Sequence, residues 1–556
     1  MRNKKAIILS IIASITLLAL IIGATYAYFQ NQYGSASNAD IKVTTYTTDV
    51  LTFETGDAIN ISADQDTFAQ GKGNQIGSTF ARATLQANNK TNTATGNYYM
   101  YLNIETNTFT YTNTGTPELI LQVVDKTSGN PVTSITGLNY VTVTDGKNTS
   151  ISGFDITTKK GLIALFSNKV ISASPKTVEE YTITITLVNH NFDQNNNTGK
   201  NLNGKLIIQK EKMITSISDV AKRGDALATA LETLGAKGNL SLTGLYHHDV
   251  NLTNGAGDNS YRFAGADPNN YVCFGSDEVT CPNENLYRII GVIDGKIKLI
   301  SADGATTDML GTDGGYSNTY KWRWGTPTTY KGNGDLTKIG IYYWNQTATN
   351  TWSSSTTNTT NLNKNFLTYL DGKNAKWKTM IADTTWYVGG MTSTNGYISN
   401  AKTAYNYEVG ASKDTNTTVS TKIGLMYVSD YYYAASEDYW TLPGYNSNRN
   451  DYRKSTNDNW LYTGLYEWTI SRYSGHSDGA FGVASVGLVD DAGVGNYRVL
   501  RPSFNLTSSV KYESGDGTAI SPIRLKIWWG DDSNNAFEWM MMMTITMGMR
   551  LDQPLI

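Results

Sequence analysis

The residues best suited to chemistry in this chain fall late, between Ser471 and Asn496. Arg472, Tyr473, Ser474, His476, Asp478, Asp490, Asp491 and Asn496 supply cation, phenol, hydroxyl, imidazole, carboxylate and amide groups within one polar stretch. Such a set suits recognition by hydrogen bonds more than bond cleavage. A glycosidase needs two acids converging on one bond. The carboxylate pairs here, Glu437–Asp438 and Asp490–Asp491, are sequence neighbours, and neighbours on a strand point to opposite faces. Glu467, between Tyr466 and Trp468, is expected to be a buried acid bonded to backbone or to Arg501. The four histidines, His190, His247, His248 and His476, make no zinc-ligand pattern, and no His-Glu-x-x-His motif occurs. Asn457, Asp458 and Asn459 place oxygen donors before Trp460, but such a cluster ahead of a strand reads as a turn. No catalytic residue, metal or cofactor is therefore expected.

Something rigid must hold these polar groups. Trp460, Tyr462, Tyr466 and Trp468 precede them, and large aromatics at these places read as core because of the area they bury. Beyond them, Phe481, Val483, Val486, Leu488 and Val489 can anchor a strand, which leaves the eight polar residues on a loop. Loops held by a rigid scaffold are where recognition sites sit. A merely solvated loop is the competing expectation.

Composition divides the chain upstream. All 12 Trp lie at or beyond Trp322 and both Cys lie beyond residue 270. The stretch from 28 to 212 carries strand-length runs at 98–112, 119–124, 140–144, 181–192 and 204–209, rich in β-branched and aromatic residues and separated by Asn, Gly, Ser and Pro. That predicts an all-β sandwich or jelly roll. A helix is expected from Ser218 to Leu234, with Val220, Leu227, Leu231 and Leu234 on one face and Gly235 as its stop. It would form a linker over 213–239. The second domain, 240–527, reads as α+β, with a hairpin turning at Asp294-Gly295, helices at 362–370 and 376–381, and a strand at 422–430. Cys273 and Cys281 close a nine-residue loop, and in an exported chain a local disulfide is the expectation.

Export is expected from the N-terminus. Arg2, Lys4 and Lys5 precede an uncharged apolar run from Ala6 to Ala24. At 1.5 Å per residue the run reaches about 28 Å, close to the roughly 30 Å hydrocarbon core, so a retained anchor stays open. Thr25 and Ala27 form a −3/−1 pattern that favours cleavage after Ala27, giving a signal peptide over 1–27. At the other end, 528–556 is Met-rich, has no periodicity and is assigned no role. A net charge of −3 gives no basic field for nucleic acid.

The segment "GATYAYF", Gly23 to Phe29, resembles the end of the special signal peptides of the TasA/camelysin family, secreted β-sandwich proteins of Gram-positive bacteria, some of which form matrix fibres. "YTITITLVNHNFDQNNNTGKNLNGKLII", from Tyr181, looks like the closing hairpin of TasA-type domains. The resemblance implies possible self-association, with "IKVTTYTTDV" (41–50) as a donor strand or as a strand of its own sandwich. Protease activity described for camelysins does not carry over, since the zinc motif is missing. "GLYEWT", Gly464 to Thr469, with "YRVLRPSFNL", Tyr497 to Leu506, resembles an uncharacterised family of bacterial surface domains and, more distantly, formylglycine-generating-enzyme folds, which are variants of the C-type lectin fold. That enzyme chemistry needs a late cysteine pair, and no Cys follows Cys281.

Together these readings predict a secreted bacterial cell-surface or matrix protein, structural or adhesive, whose C-terminal module binds an extracellular glycan or protein ligand. It would meet the membrane only through its signal segment. The alternatives are a wall- or glycan-active hydrolase and a surface receptor diversified by a retroelement, for which the Asn/Asp/Ser/Gly/Tyr/His bias of 471–497 is the only sign.

Overall fold

A computed structural model describes residues 48–64, 66–69, 72–88 and 92–527. The expected signal segment with Ala27, most of the expected donor strand and the 528–556 tail lie outside them. The chain forms two compact units, Met1–Met213 and Ile214–Ile556, and β-structure predominates.

In the first unit the period-2 pattern does the building. Along Gln75–Gln86 the residues Ala81, Ala83 and Leu85 are buried while their neighbours are half exposed, so one face of the strand turns inward. Six strands pair in the order Val50–Thr55, Gln75–Gln86, Lys176–Leu187, Leu119–Asp125, Ser150–Asp155 and Tyr140–Thr144. Four more pair as Ile59–Ser62, Asn201–Gln209, Ala94–Asn107 and Gly161–Ala173. One core is filled from both sheets, by Leu85, Leu121 and Ile183 from the first and Ile61, Leu102 and Leu206 from the second.

The expected closing hairpin is corrected here, because Lys176–Leu187 and Asn201–Gln209 lie in different sheets. Their connection is pinned around the fully buried Glu118. Gln194 Nε2 donates to Glu118 Oε2 at 3.0 Å and to Val188 O at 2.9 Å, and Thr112 N donates to Glu118 Oε1 at 2.6 Å. A buried carboxylate must be satisfied, and meeting that need steers the chain across the core instead of back along its own strand. Val50, the last residue of the expected donor strand, opens the strand Val50–Thr55 and pairs with Gln86 of its own sheet.

In the second unit the expected linker helix is shorter and belongs to the core. It spans Leu227–Lys237, and Leu227, Leu231 and Leu234 pack with the sheets. Gly224 adopts φ +94°, which a helix cannot include. Gly235 is an interior position, not a stop. A Cβ there would lie 2.3 Å from Tyr261 Cδ1, so the glycine permits a close helix–strand approach, and the helix ends at Gly238.

A seven-stranded sheet runs Leu245–His248, Ser260–Phe263, Leu286–Ile293, Lys296–Ser301, Ser503–Asn505 and Ile423–Gly424, with Tyr271–Cys273 paired to the third of these. Its central hairpin turns at Asp294 and Gly295, both at positive φ as a type I′ turn requires. A six-stranded sheet runs Tyr316–Thr319, Gly340–Tyr343, Tyr497–Val499, Glu467–Arg472, Gly479–Val483 and Val489–Gly493. Residues 357–366 form a π-helix continuing into the helix Leu367–Lys373, followed by Ala375–Thr379.

The expected strand at 422–430 is mostly something else. Only Ile423–Gly424 pairs, and Val428–Tyr433 is helical. Every residue from 423 to 435 is buried, and uniform burial carries no period by which to tell strand from helix. Cys273 and Cys281 are joined. Among the described residues no helix is long and apolar enough to cross a membrane.

Candidate functional site

The aromatic block is a frame. Trp468 is fully buried, its Nε1 donates to Tyr342 O at 3.0 Å, and the Arg498 guanidinium lies 4.9 Å from its ring centroid. Trp344 Nε1 donates to Thr469 O at 2.9 Å, and Trp344 packs on Trp352. Glu467 meets Arg501 Nε at 2.6 Å, both buried. Burial raises the pKa of Glu467, and Arg501 opposes that rise. The acid is thus tied into the fold as one half of a buried ion pair.

The stretch after the block is not the loop that its composition suggested. Glu467–Arg472, Gly479–Val483 and Val489–Gly493 form an antiparallel meander. Its glycines serve packing: a Cβ on Gly482 would lie 2.5 Å from Glu467 O and 2.6 Å from Arg498 Nη1. What remains irregular is the turn 473–478 and, beside it, the turn 493–496. Gly479 pairs with Gly493 and Val494 N donates to Asp478 O at 2.7 Å, so both turns share one end of the sheet.

This arrangement sorts the expected residues into two groups. Ser474, His476, Asp478 and Asn496 are exposed and stand together at that end. The other four are taken up by packing or pairing. Arg472 Nε donates to Gly389 O at 2.7 Å, which ties down a neighbouring segment. Tyr473 is half buried between His476 and Phe481, with ring centroids at 4.8 and 5.7 Å. Asp490 accepts from Arg498 Nη2 at 2.9 Å, and Asp491 faces Tyr397. Asp490 is also three residues back from Gly493, roughly 10 Å along the strand.

Sequence reasoning missed the residue that shapes the turn. Asn350 is buried, and its Nδ2 lies 2.8, 2.6 and 2.9 Å from the carbonyl oxygens of Tyr473, His476 and Gly479. Its backbone N donates to Ser477 O at 2.7 Å. In the sequence Asn350 is one more polar residue of a polar loop, and no local signal marks it. It also brings a third loop to the same end, where Gln346, Thr347 and Thr349 are exposed.

The oxygen donors before Trp460 diverge. Asn457 Oδ1 accepts from Lys331 Nζ, Asp458 Oδ2 from Tyr439 OH and Asn459 Oδ1 from Leu461 N. Among the described residues no group of three His, Cys, Asp or Glu is placed to hold a metal ion.

One buried acid braces the meander from behind. Glu408 accepts from Val428 N at 2.9 Å, from Ser429 N at 2.8 Å and from the Ser471 hydroxyl. Burial lifts its pKa to about 7, against the pull of the Ser429, Ser471 and backbone hydrogen bonds. The folded chain therefore holds this proton more tightly than the unfolded chain, whose value is 4.5. The folded state is relatively favoured at low pH, and that advantage is lost as pH rises from 4.5 through about 7. Between pH 5 and pH 8 the wild type should lose on the order of 2–3 kcal/mol relative to Glu408→Gln, read from urea midpoints at each pH. Parallel pH profiles for the two proteins would remove Glu408 from this role.

Compared with protein-family models, curated proteins and solved structures, the chain matches none of them.

Proposed function

We propose that this is a secreted protein of the bacterial surface or extracellular matrix, in which the first unit supports and the second recognises. The reading takes the first unit as a TasA-like, jelly-roll-like sandwich and the second as a C-type-lectin-like α+β module. The partner is an extracellular glycan or protein. The observation that carries it is the end of the six-stranded sheet, where three polar loops meet on a frame fixed by Asn350 and the tryptophans. Fixed polar groups lose little entropy on binding, which favours recognition. The disulfide fits an oxidising compartment.

A hydrolase is less favoured. Asp490 and Asp491 alternate across one strand, and Asp490 is held by Arg498. Self-association into fibres follows from the resemblance alone.

The test uses the exposed group. The triple variant His476→Ala, Asp478→Ala, Asn496→Ala should lose binding to bacterial cells and to a glycan array while its melting temperature stays within about 2 °C of wild type, as surface substitutions away from packing leave stability within roughly 0.5 kcal/mol. Unchanged binding would place the contact surface elsewhere.

A further inference from the structure

A cleft away from the loop rim has the composition of a ligand site. It lies where the strand Tyr271–Cys273, the loop 330–334 and the segment 460–463 meet. Tyr271 and Arg288 are direct cross-strand partners, so they share a face. The Arg288 guanidinium lies 4.1 Å from the Tyr271 ring centroid and 4.8 Å from that of Trp460. Trp460 is itself fixed by donating Nε1 to Phe263 O at 2.8 Å. Asn270 Oδ1 accepts from Arg288 Nε at 2.6 Å, which completes a flat, oriented cation.

The charge of this cation is only partly offset. Its ion-pair partner Asp267 is 71% exposed, while the Arg288 side chain is 7% exposed. Solvent screens such a partner strongly. At the mouth, Lys331 is exposed and lies 5.5 Å from the Tyr462 ring centroid. Its Nζ donates to Thr456 O at 2.6 Å and Asn457 Oδ1 at 2.8 Å, two neutral acceptors that leave its charge unpaired and one N–H to give. The one carboxylate in the lining, Asp303, is occupied: its oxygens accept from Tyr330 OH at 2.5 Å, Gly334 N at 2.6 Å and Gly304 N at 2.8 Å. The loop 330–334 can close over it only because residue 332 is glycine, since a Cβ there would lie 2.1 Å from Asp303 Oδ2.

Asp303 keeps its charge but its oxygens are taken by neutral donors, and Arg288 is paired with Asp267. Lys331 is therefore the lining cation with no carboxylate partner, beside aromatic rings and the exposed amides of Asn283 and Asn333. We infer that the cleft binds a carboxylate-bearing saccharide, a uronic-acid type of residue. Its carboxylate would meet Lys331 and the field of Arg288, its ring the edges of Tyr271, Trp460 and Tyr462, and its hydroxyls the two amides. Charge selects the acid, and the rings and amides select a polyol over a bare anion. This deepens the proposed recognition function and rests on it for the glycan class, but it uses none of the rim residues.

Calorimetric titration of the full chain with a galacturonate trimer tests it, with the trimer's methyl ester, tri-glutamate and sodium sulfate as comparisons. The acid trimer should bind saturably, and the ester at least about tenfold more weakly, the scale of one charge-assisted hydrogen bond. Lys331→Ala, which also removes the surface bonds to Thr456 O and Asn457 Oδ1 and is therefore compared with wild type in melting temperature, should weaken the trimer by a similar factor, with partial recovery in Lys331→Arg. The rim triple variant should bind the trimer like wild type. Equal affinity for trimer and ester, equal affinity for tri-glutamate or sulfate, no saturation by the trimer, or an unaffected Lys331→Ala would each overturn the inference. Loss of cell binding in the rim variant alone leaves this result intact, and the converse also holds, so the two sites fail separately.

Discussion

Trp468→Ala should cost the second unit roughly 3–5 kcal/mol, the range for truncating a buried aromatic. The ring is fully buried, its indole N–H is bonded to Tyr342 O, and one face is covered by Arg498. Removing it opens a cavity beneath Gly482, leaves Tyr342 O without its donor and takes the aromatic face from a buried guanidinium. The meander cannot collapse to fill the gap, because Glu467 on the same strand is held by Arg501. Urea unfolding followed by tryptophan fluorescence and near-ultraviolet circular dichroism gives the number. A loss under about 1 kcal/mol would mean that the block is not the frame of the rim.

A comparable loss is expected from Asp430→Ala. Asp430 is 3% exposed and sits between two buried cations, accepting from Lys298 Nζ at 2.5 Å and lying 3.5 Å from Arg262 Nη1. It also accepts from Tyr427 N at 2.8 Å, which caps the helix Val428–Tyr433. Burial already pulls the pKa of Lys298 down, and Asp430 is the main group opposing that pull. Without the carboxylate, Lys298 must shed its proton or stay charged without its partner. Breaking a buried pair on one side costs about 3–5 kcal/mol, whereas replacing both partners by apolar groups is close to neutral. The paired variant Asp430→Leu, Lys298→Met should therefore regain most of what Asp430→Ala loses. Recovery of less than about 1 kcal/mol would show that the carboxylate's work lies in the cap.

Local signals were legible where the pattern and its cause lie within a few residues. The strand Tyr140–Thr144, the turn at Asp294-Gly295 and the joining of Cys273 to Cys281 depend on β-branching, positive φ and an eight-residue separation. The aromatic block was legible as scaffold because large rings must be buried. The pairing of Glu467 with Arg501 was legible as an option, since a buried acid requires a cation or donors.

The loop over 471–496 was misjudged for an equally physical reason. The glycines of Gly479–Val483 carry turn propensity, yet here Gly482 lets the strand lie close against Glu467 O and Arg498, a need that exists only once the sheet is assembled. The sequence by itself determined the β-rich character, the compositional break near residue 212, the turn chemistry and the choice of core aromatics, because these follow from side-chain volume and backbone preference. Tertiary structure alone decided that residues 181–209 cross between sheets, that Asn350 shapes the turn 473–478, and that Arg288 lies beside Trp460 across more than 170 positions of chain. Those contacts are set by which buried charges and carbonyls must find partners, and a partner so far away leaves no mark on the residues next to either one.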